Sequence, residues 1–188
     1  MKRLILLFVL FTIPFSLAAQ RDKHVEEGQF KINLINPGVE YEMGIGKNQT
    51  INLGLGLQFG ASGSGRREFN YAFLPALNAQ YRYYYNMDRR LGKGKRIDGN
   101  TGNYLALSGT LFTSDVIIGN IESGSGTAGF MGPVYGIQRT YPKGFNYSME
   151  FGLGLYFATD ENFEAIDTGF GPTVSFSIGW VIGKRKNK

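Results

Sequence analysis

The stretch TINLGLGLQFG, Thr50–Gly60, decides how the rest of the chain is read. Ile51, Leu53, Leu55, Leu57 and Phe59 alternate with Asn52, Gly54, Gly56, Gln58 and Gly60. In an extended chain successive side chains point to opposite faces. The segment therefore has one apolar face and one small or polar face, which is a strand with lipid or core on one side.

The same period returns on both sides of it. Phe30, Ile32 and Leu34 alternate with Lys31 and Asn33. After Asn36-Pro37-Gly38, a turn signal, the apolar set changes parity to Val39, Tyr41, Met43 and Ile45. A continuous strand cannot change faces without a bulge, so a tight turn between two strands is the simpler reading. Lys47–Gln49 is a second short turn and Ala61–Glu68 a loop. Phe69–Asn86 reads as the longest strand. It is interrupted by Pro75, where a bulge or a missing ladder bond is expected. Tyr104–Thr113, Ala128–Tyr141, the cleanly alternating Phe145–Phe157, and a last strand through Val174, Phe176, Ile178, Trp180 and Ile182 complete the set. Pro142-Lys143-Gly144 is a tight turn, while Ser114–Thr127 and the acidic Thr159–Phe170 are loops. Counting Asn36-Pro37-Gly38 as a turn makes eight strands, the even number that closed bacterial barrels use. Both chain ends and the short turns then share one side. The long polar, basic Met87–Gly102 connection falls on that side too, and it is long for such a turn.

The first residues are a separate object. Lys2 and Arg3 precede an apolar run from Leu4 to Phe15, and Ser16, Ala18 and Ala19 supply small residues. This is the pattern of a secretory signal peptide over 1–20, with cleavage expected near Ala18–Gln20. An uncleaved anchor is the alternative, and the run is short for one. Residues 21–28 are expected to be a flexible lead-in, 29–183 the domain, and 184–188 a basic tail. There is no cysteine, which excludes a lipid-modified cysteine, a disulfide and a thiolate metal site. The net charge is +5, about +3 without Lys2 and Arg3. For a secreted chain this basic balance does not imply a nucleic-acid partner. No later apolar run is long enough for a membrane helix, so any span must be built from strands that close on themselves.

The face opposite the leucines carries Lys31, Glu40, Glu42, Arg82 and Glu150. Three acids and two bases inside a narrow ring should pair, because an unpaired buried charge is costly. They read as a salt-bridge plug, with a proton or ion path as the alternative. Asp160, Glu161, Glu164 and Asp167 crowd one outer loop and are its candidates for a surface role; they read first as a solvated loop, with divalent cations shared with lipopolysaccharide phosphates as the alternative. Arg89, Arg90, Lys93, Lys95 and Arg96 read first as a solvated basic turn, with contact to inner-leaflet phosphate or periplasmic polymers as the alternative. Gly124–Gly129 matches GxGxxG but runs into a strand pattern rather than a helix, so it reads as a glycine loop. The single histidine, His24, lies in the lead-in. The strands therefore offer no imidazole for a Ser–His–acid site or a histidine-based zinc site. No cofactor site is expected.

With FKINLINPGVEYEMGIG, TINLGLGLQFG and TVSFSIGWVIG in view, the mature chain resembles the small eight-stranded outer-membrane β-barrel proteins, in particular the porin-like versions of Bacteroidetes-type bacteria. The resemblance implies an all-β, eight-stranded antiparallel up-and-down transmembrane barrel. It implies location in a bacterial outer membrane, with outer-membrane lipid, lipopolysaccharide and the assembly machinery as partners. It carries no catalytic motif. Such barrels end on an aromatic residue read during assembly. Here Gly183–Lys188 follows Trp180 and Ile182, a departure that moves any such signal inward to Phe176–Trp180. The expected function is non-enzymatic: a structural, adhesive or surface-interaction role through the outer loops. A narrow pore and a soluble secreted barrel binding a small apolar ligand are the alternatives.

Overall fold

The computed structural model describes residues 23–62, 69–120, 126–160 and 166–183. Its elements are β1 (Gly28–Ile35), β2 (Gly38–Gly44), β3 (Gln49–Ser62), β4 (Asn70–Tyr83), α1 (Met87–Leu91), β5 (Gly102–Thr113), β6 (Ile118–Gly119), β7 (Thr127–Thr140), β8 (Phe145–Thr159) and β9 (Ile166–Ile182). All pairings are antiparallel and lie in one nine-stranded sheet. Eight strands bond in a ring, each to its chain neighbour, and β9 returns to β1 through pairs such as Phe30↔Ile182 and Ile32↔Trp180. The ninth, β6, is two residues long and adds to the far end of β4 at Ala72↔Gly119 and Phe73↔Ile118. The Asn36-Pro37 turn does separate two strands. Asn36 takes φ 53°, the left-handed region that asparagine tolerates better than most residues.

Parity behaves as the alternation demands. Leu53, Leu55, Leu77, Leu105, Leu107, Met131, Leu153 and Val174 are exposed on the outside, whereas Lys31, Glu42, Asn52, Gln80, Arg82 and Gln138 are buried inside. The outer face of the ring is therefore apolar, and polar and charged side chains line much of its inside. Outward aromatic rings gather at two levels. At the end that carries the described chain ends, Tyr85 meets Tyr135, Tyr141 meets Phe145, and Phe145 meets Trp180 edge-on at 5.7 Å. At the opposite, loop-bearing end Phe59 meets Phe73 and Phe69 meets Tyr71.

Several expectations change in detail. No bulge forms at Pro75: the β3–β4 register runs unbroken from Gln49↔Tyr83 to Ser62↔Asn70. Proline lacks an N–H, and Pro75 falls where β4 exchanges partners, just beyond Ala76↔Phe112 and before Phe73↔Ile118. The acidic connection is shorter than expected, because the β8–β9 ladder continues to Thr159↔Ile166. Asp167 is thus a strand residue paired with Ala158.

The largest correction concerns the end that bears the chain ends. The lead-in, expected to be flexible, is packed over its described part: Val25 and Glu26 are buried. The Met87–Gly102 connection, expected to be a solvated turn, folds back across the ring. Met87 and Ile97 pack with Val25, Tyr84, Tyr104 and Ala106 into the apolar cluster of the interior. Polar bonds hold the two segments together. Glu26 accepts from the Gly99 N–H at 2.9 Å, and Asn100 Oδ1 accepts from the Glu26 N–H at 2.7 Å. Thr140 Oγ1 donates to the Gly99 carbonyl and Thr101 Oγ1 accepts from the Thr140 N–H. At the rim, Lys47 and Asn48 donate to Asp88 at 2.6 and 2.7 Å, and these bonds hold its carboxyl below the usual carboxylate range. Arg96 pairs with Asp98, and Arg90 donates to the Arg96 carbonyl. Two of the basic residues considered for phosphate thus brace the segment itself.

Candidate functional site: a charged floor beneath an open cup

Even-numbered residues of β2, β4 and β8 and the odd-numbered Lys31 of β1 converge inside the ring. The structure brings together all five charged residues anticipated from parity. Lys31 Nζ lies 3.0 Å from Glu42 and 3.3 Å from Glu40. Arg82 lies 3.4 Å from Glu150, 3.6 Å from Glu42 and 3.9 Å from Glu40. Each carboxylate is also hydrogen-bonded. Glu42 accepts from Gln29 at 2.6 Å and from Thr50 and Tyr84 at 2.7 Å each. Glu150 accepts from Tyr104 at 2.5 Å and Gln80 at 3.0 Å, and Glu40 accepts from Asn33 at 2.6 Å. Arg82 Nε donates to Gln80 at 2.6 Å, and its guanidinium lies 4.8 Å from the centre of the Tyr104 ring. Gln138 links the two halves, accepting from Lys31 at 2.8 Å and from Arg82 at 3.3 Å. A buried ionic network of this kind is tolerable only when its members are satisfied, and these charged groups are.

Sequence reasoning missed the neutral half of this network. Tyr84 stands between the outward Tyr83 and Tyr85, and its even parity is the signal that could have placed it inside. Tyr104 shares a face with Ala106 and Ser108, opposite the outward leucines. Its ring lies over Gly136, where any Cβ would overlap it, so the glycine is required for the tyrosine to reach Glu150. Gln138 is even-numbered on β7, opposite the outward Met131, so parity marks it as inward too, while its partners Lys31 and Arg82 are brought to it only by ring closure.

Above the network lies a cavity of about 440 Å³. Asn33, Glu40, Asn52, Gln80, Arg82 and Glu150 form its floor, and Phe112, Phe130, Val134 and Tyr156 lie along its walls. It lies on the loop-bearing side, and the apolar cluster around Val25, Tyr84 and Ile97 closes the other side. Of the acidic loop residues, Asp160 directly follows β8, Asp167 belongs to β9, and Glu161 and Glu164 lie outside the described residues. Among the described residues no group of three or more His, Asp or Glu side chains could hold a metal ion. No described helix is long and apolar enough to cross a membrane. The GxGxxG stretch enters β7 at Thr127, with its first residues outside the described set. Comparison with protein-family models, with curated proteins and with solved structures finds no match, so the functional argument rests on the residues themselves.

Proposed function

We propose that the chain is a non-enzymatic outer-membrane β-barrel of eight transmembrane strands, plugged at its periplasmic end and presenting a cup and loops to the outside in a structural, adhesive or surface-interaction role. The inverted polarity carries this reading. Leu55 is 62% exposed while Asn52, on the same strand, is 1% exposed. A band of exposed leucines around a whole ring far exceeds the apolar patches that water-soluble monomers leave uncovered. Lipid against that band, with the polar groups inside, resolves the mismatch, and ring closure leaves few backbone groups facing hydrocarbon. The two levels of aromatic rings support the same orientation, as tyrosine and tryptophan favour the two interfaces. A soluble carrier of an apolar ligand would need the opposite polarity.

The plug favours a closed barrel over a narrow pore. Eight strands leave room for little more than side chains, and here the Lys31–Arg82 network and the apolar cluster below it occupy that room. Outer-membrane lipid, lipopolysaccharide and the assembly machinery are the partners this reading requires. Cysteines introduced at Asp115 and Lys95, both exposed and on opposite ends, test it. The Asp115 position should react with a membrane-impermeant maleimide on intact cells, and the Lys95 position only after the outer membrane is opened. Labelling of both in a soluble periplasmic fraction would refute the reading.

A further inference from the structure

Arg139 stands on the outward face of β7. Odd residues of this strand point out of the ring, as Met131 does, while the even Gln138 and Thr140 are buried inside. Its partner across the β7–β8 ladder is Tyr147, so it lies among the aromatic rings that mark the end with the described chain ends. Three bonds fix the guanidinium there. Nη1 donates to the carbonyls of Gly102 and Gln138, each at 2.7 Å, and Nη2 donates to Asn103 Oδ1 at 2.7 Å. All three acceptors are neutral, and every ion pair among the described residues leaves Arg139 out. Asn103 in turn donates to the Tyr135 hydroxyl at 2.7 Å, and Tyr85 donates to the same oxygen at 3.5 Å. The two hydroxyls thus keep one hydrogen without an acceptor among the described residues.

A second cation adjoins this cluster. Arg90 of α1 spends Nε and Nη2 on the Arg96 carbonyl at 3.0 and 2.8 Å, and Nη1 makes no bond among the described residues. Burial and the like charge of Arg139 lower its guanidinium from the ordinary value. Two guanidiniums that repel each other and share no acid call for an anion, and the planar arginine fork matches phosphate. The tyrosine end of the cluster leads onto bare apolar wall. Tyr135 pairs in register with Leu105 on one side and Phe151 on the other, and Leu105, Leu107, Phe151 and Leu153 are all exposed. Donors and positive charge at the rim, followed by an apolar surface toward the middle of the ring, match a phosphate carried on hydrocarbon chains. Basic groups at a membrane surface favour acidic lipids in the same way.

We infer that Arg139, Arg90 and the Tyr135 hydroxyl hold the phosphate of an anionic phospholipid in the leaflet at the plugged end, with its chains along Leu105 and Phe151. This rests on the membrane reading above. The probe is phosphatidylglycerol, in nanodiscs that hold it in equal amount with phosphatidylcholine. Native mass spectrometry of the released protein weighs the lipid each molecule retains. The wild-type chain should retain phosphatidylglycerol over phosphatidylcholine at least fivefold, and Arg139→Gln should bring that ratio to within twofold of parity. Tyr135→Phe keeps the ring and removes only the hydroxyl; it should at least halve the ratio, and it carries the test alone if Arg139→Gln fails to fold. Arg89→Gln removes an exposed charge from the same short helix and should leave the ratio unchanged. Excess inorganic phosphate should not displace the lipid, because it lacks the chains. A wild-type ratio near parity, or an equal loss in Arg89→Gln and Arg139→Gln, would reduce the cluster to diffuse charge and overturn the inference. Displacement by inorganic phosphate would overturn the lipid assignment. Each of these leaves the membrane reading intact, whereas protein that stays soluble and does not enter the discs would overturn both.

Discussion

Replacing Arg82 by methionine tests the plug most directly. Methionine keeps much of the length and the apolar stem but removes the charge and every donor. The loss is uneven across the network. Glu42 keeps Lys31 at 3.0 Å and bonds from Gln29, Thr50 and Tyr84. Glu40 keeps Lys31 at 3.3 Å and Asn33 at 2.6 Å. Among the described residues, Glu150 loses its only cation, at 3.4 Å, and keeps the neutral donors Tyr104 and Gln80. Gln80 in turn loses the Nε donor at 2.6 Å, and Tyr104 the cation over its ring. Stranding one partner of a buried pair costs about 3–5 kcal/mol, and the cost should be centred on Glu150. Urea titration of protein folded into phosphatidylcholine vesicles measures it. Because the charge at fault is Glu150, Arg82→Met with Glu150→Gln should recover more than about 1 kcal/mol of that loss, a coupling typical of residues in one network. A single-variant loss below about 1 kcal/mol, or a double variant less stable than the single, would refute the reasoning. Conductance in planar bilayers should remain absent, because the cluster of Val25, Tyr84 and Ile97 still closes the ring.

Three further outcomes are expected. Leu55→Arg should cost about 2–4 kcal/mol in a bilayer if it lies near the midplane, and full tolerance there would invert the assignment of faces. Ile97→Ala should cost about 2–5 kcal/mol, as for a core residue, although it lies in a connection rich in lysine and arginine; a cost under about 0.5 kcal/mol in the same titration would mean the segment does not seal the ring. Asp88 has its carboxyl lowered from 3.8 by the bonds from Lys47 and Asn48. Its contribution to the clasp is therefore fully present above that value and is lost as pH falls through the lower folded value. Hydrogen exchange at His24 and Val25 should accelerate only in strong acid, and Asp88→Asn should remove that step; loss of protection between pH 5 and 7 would contradict it.

Strand parity is legible in the sequence because it is a local property. A period of two needs only neighbours along the chain, and the change of parity across Asn36-Pro37-Gly38 marks the turn that makes the ring count even. The same parity places Lys31, Glu40, Glu42, Arg82 and Glu150 on one side. The shortness of the first two strands is visible as well. Strand ends are less legible, since the β8–β9 ladder runs through residues whose acidity suggests a loop.

What the chain decided by itself was which side chains face in and which face out, since the pleat enforces that at every residue. Hairpin register already sets neighbours such as Lys31 and Glu40, but only closure of the ring decided which distant side chains meet inside it. Lys31 and Gln138 are 107 residues apart, and Arg82 and Glu150 are 68 apart. No pattern along the chain specifies such a pair. The same holds for the plug: Met87 and Ile97 lie among charges with no period to mark them, and they became core because Val25, Tyr84 and Tyr104 left apolar surface at that end of the ring.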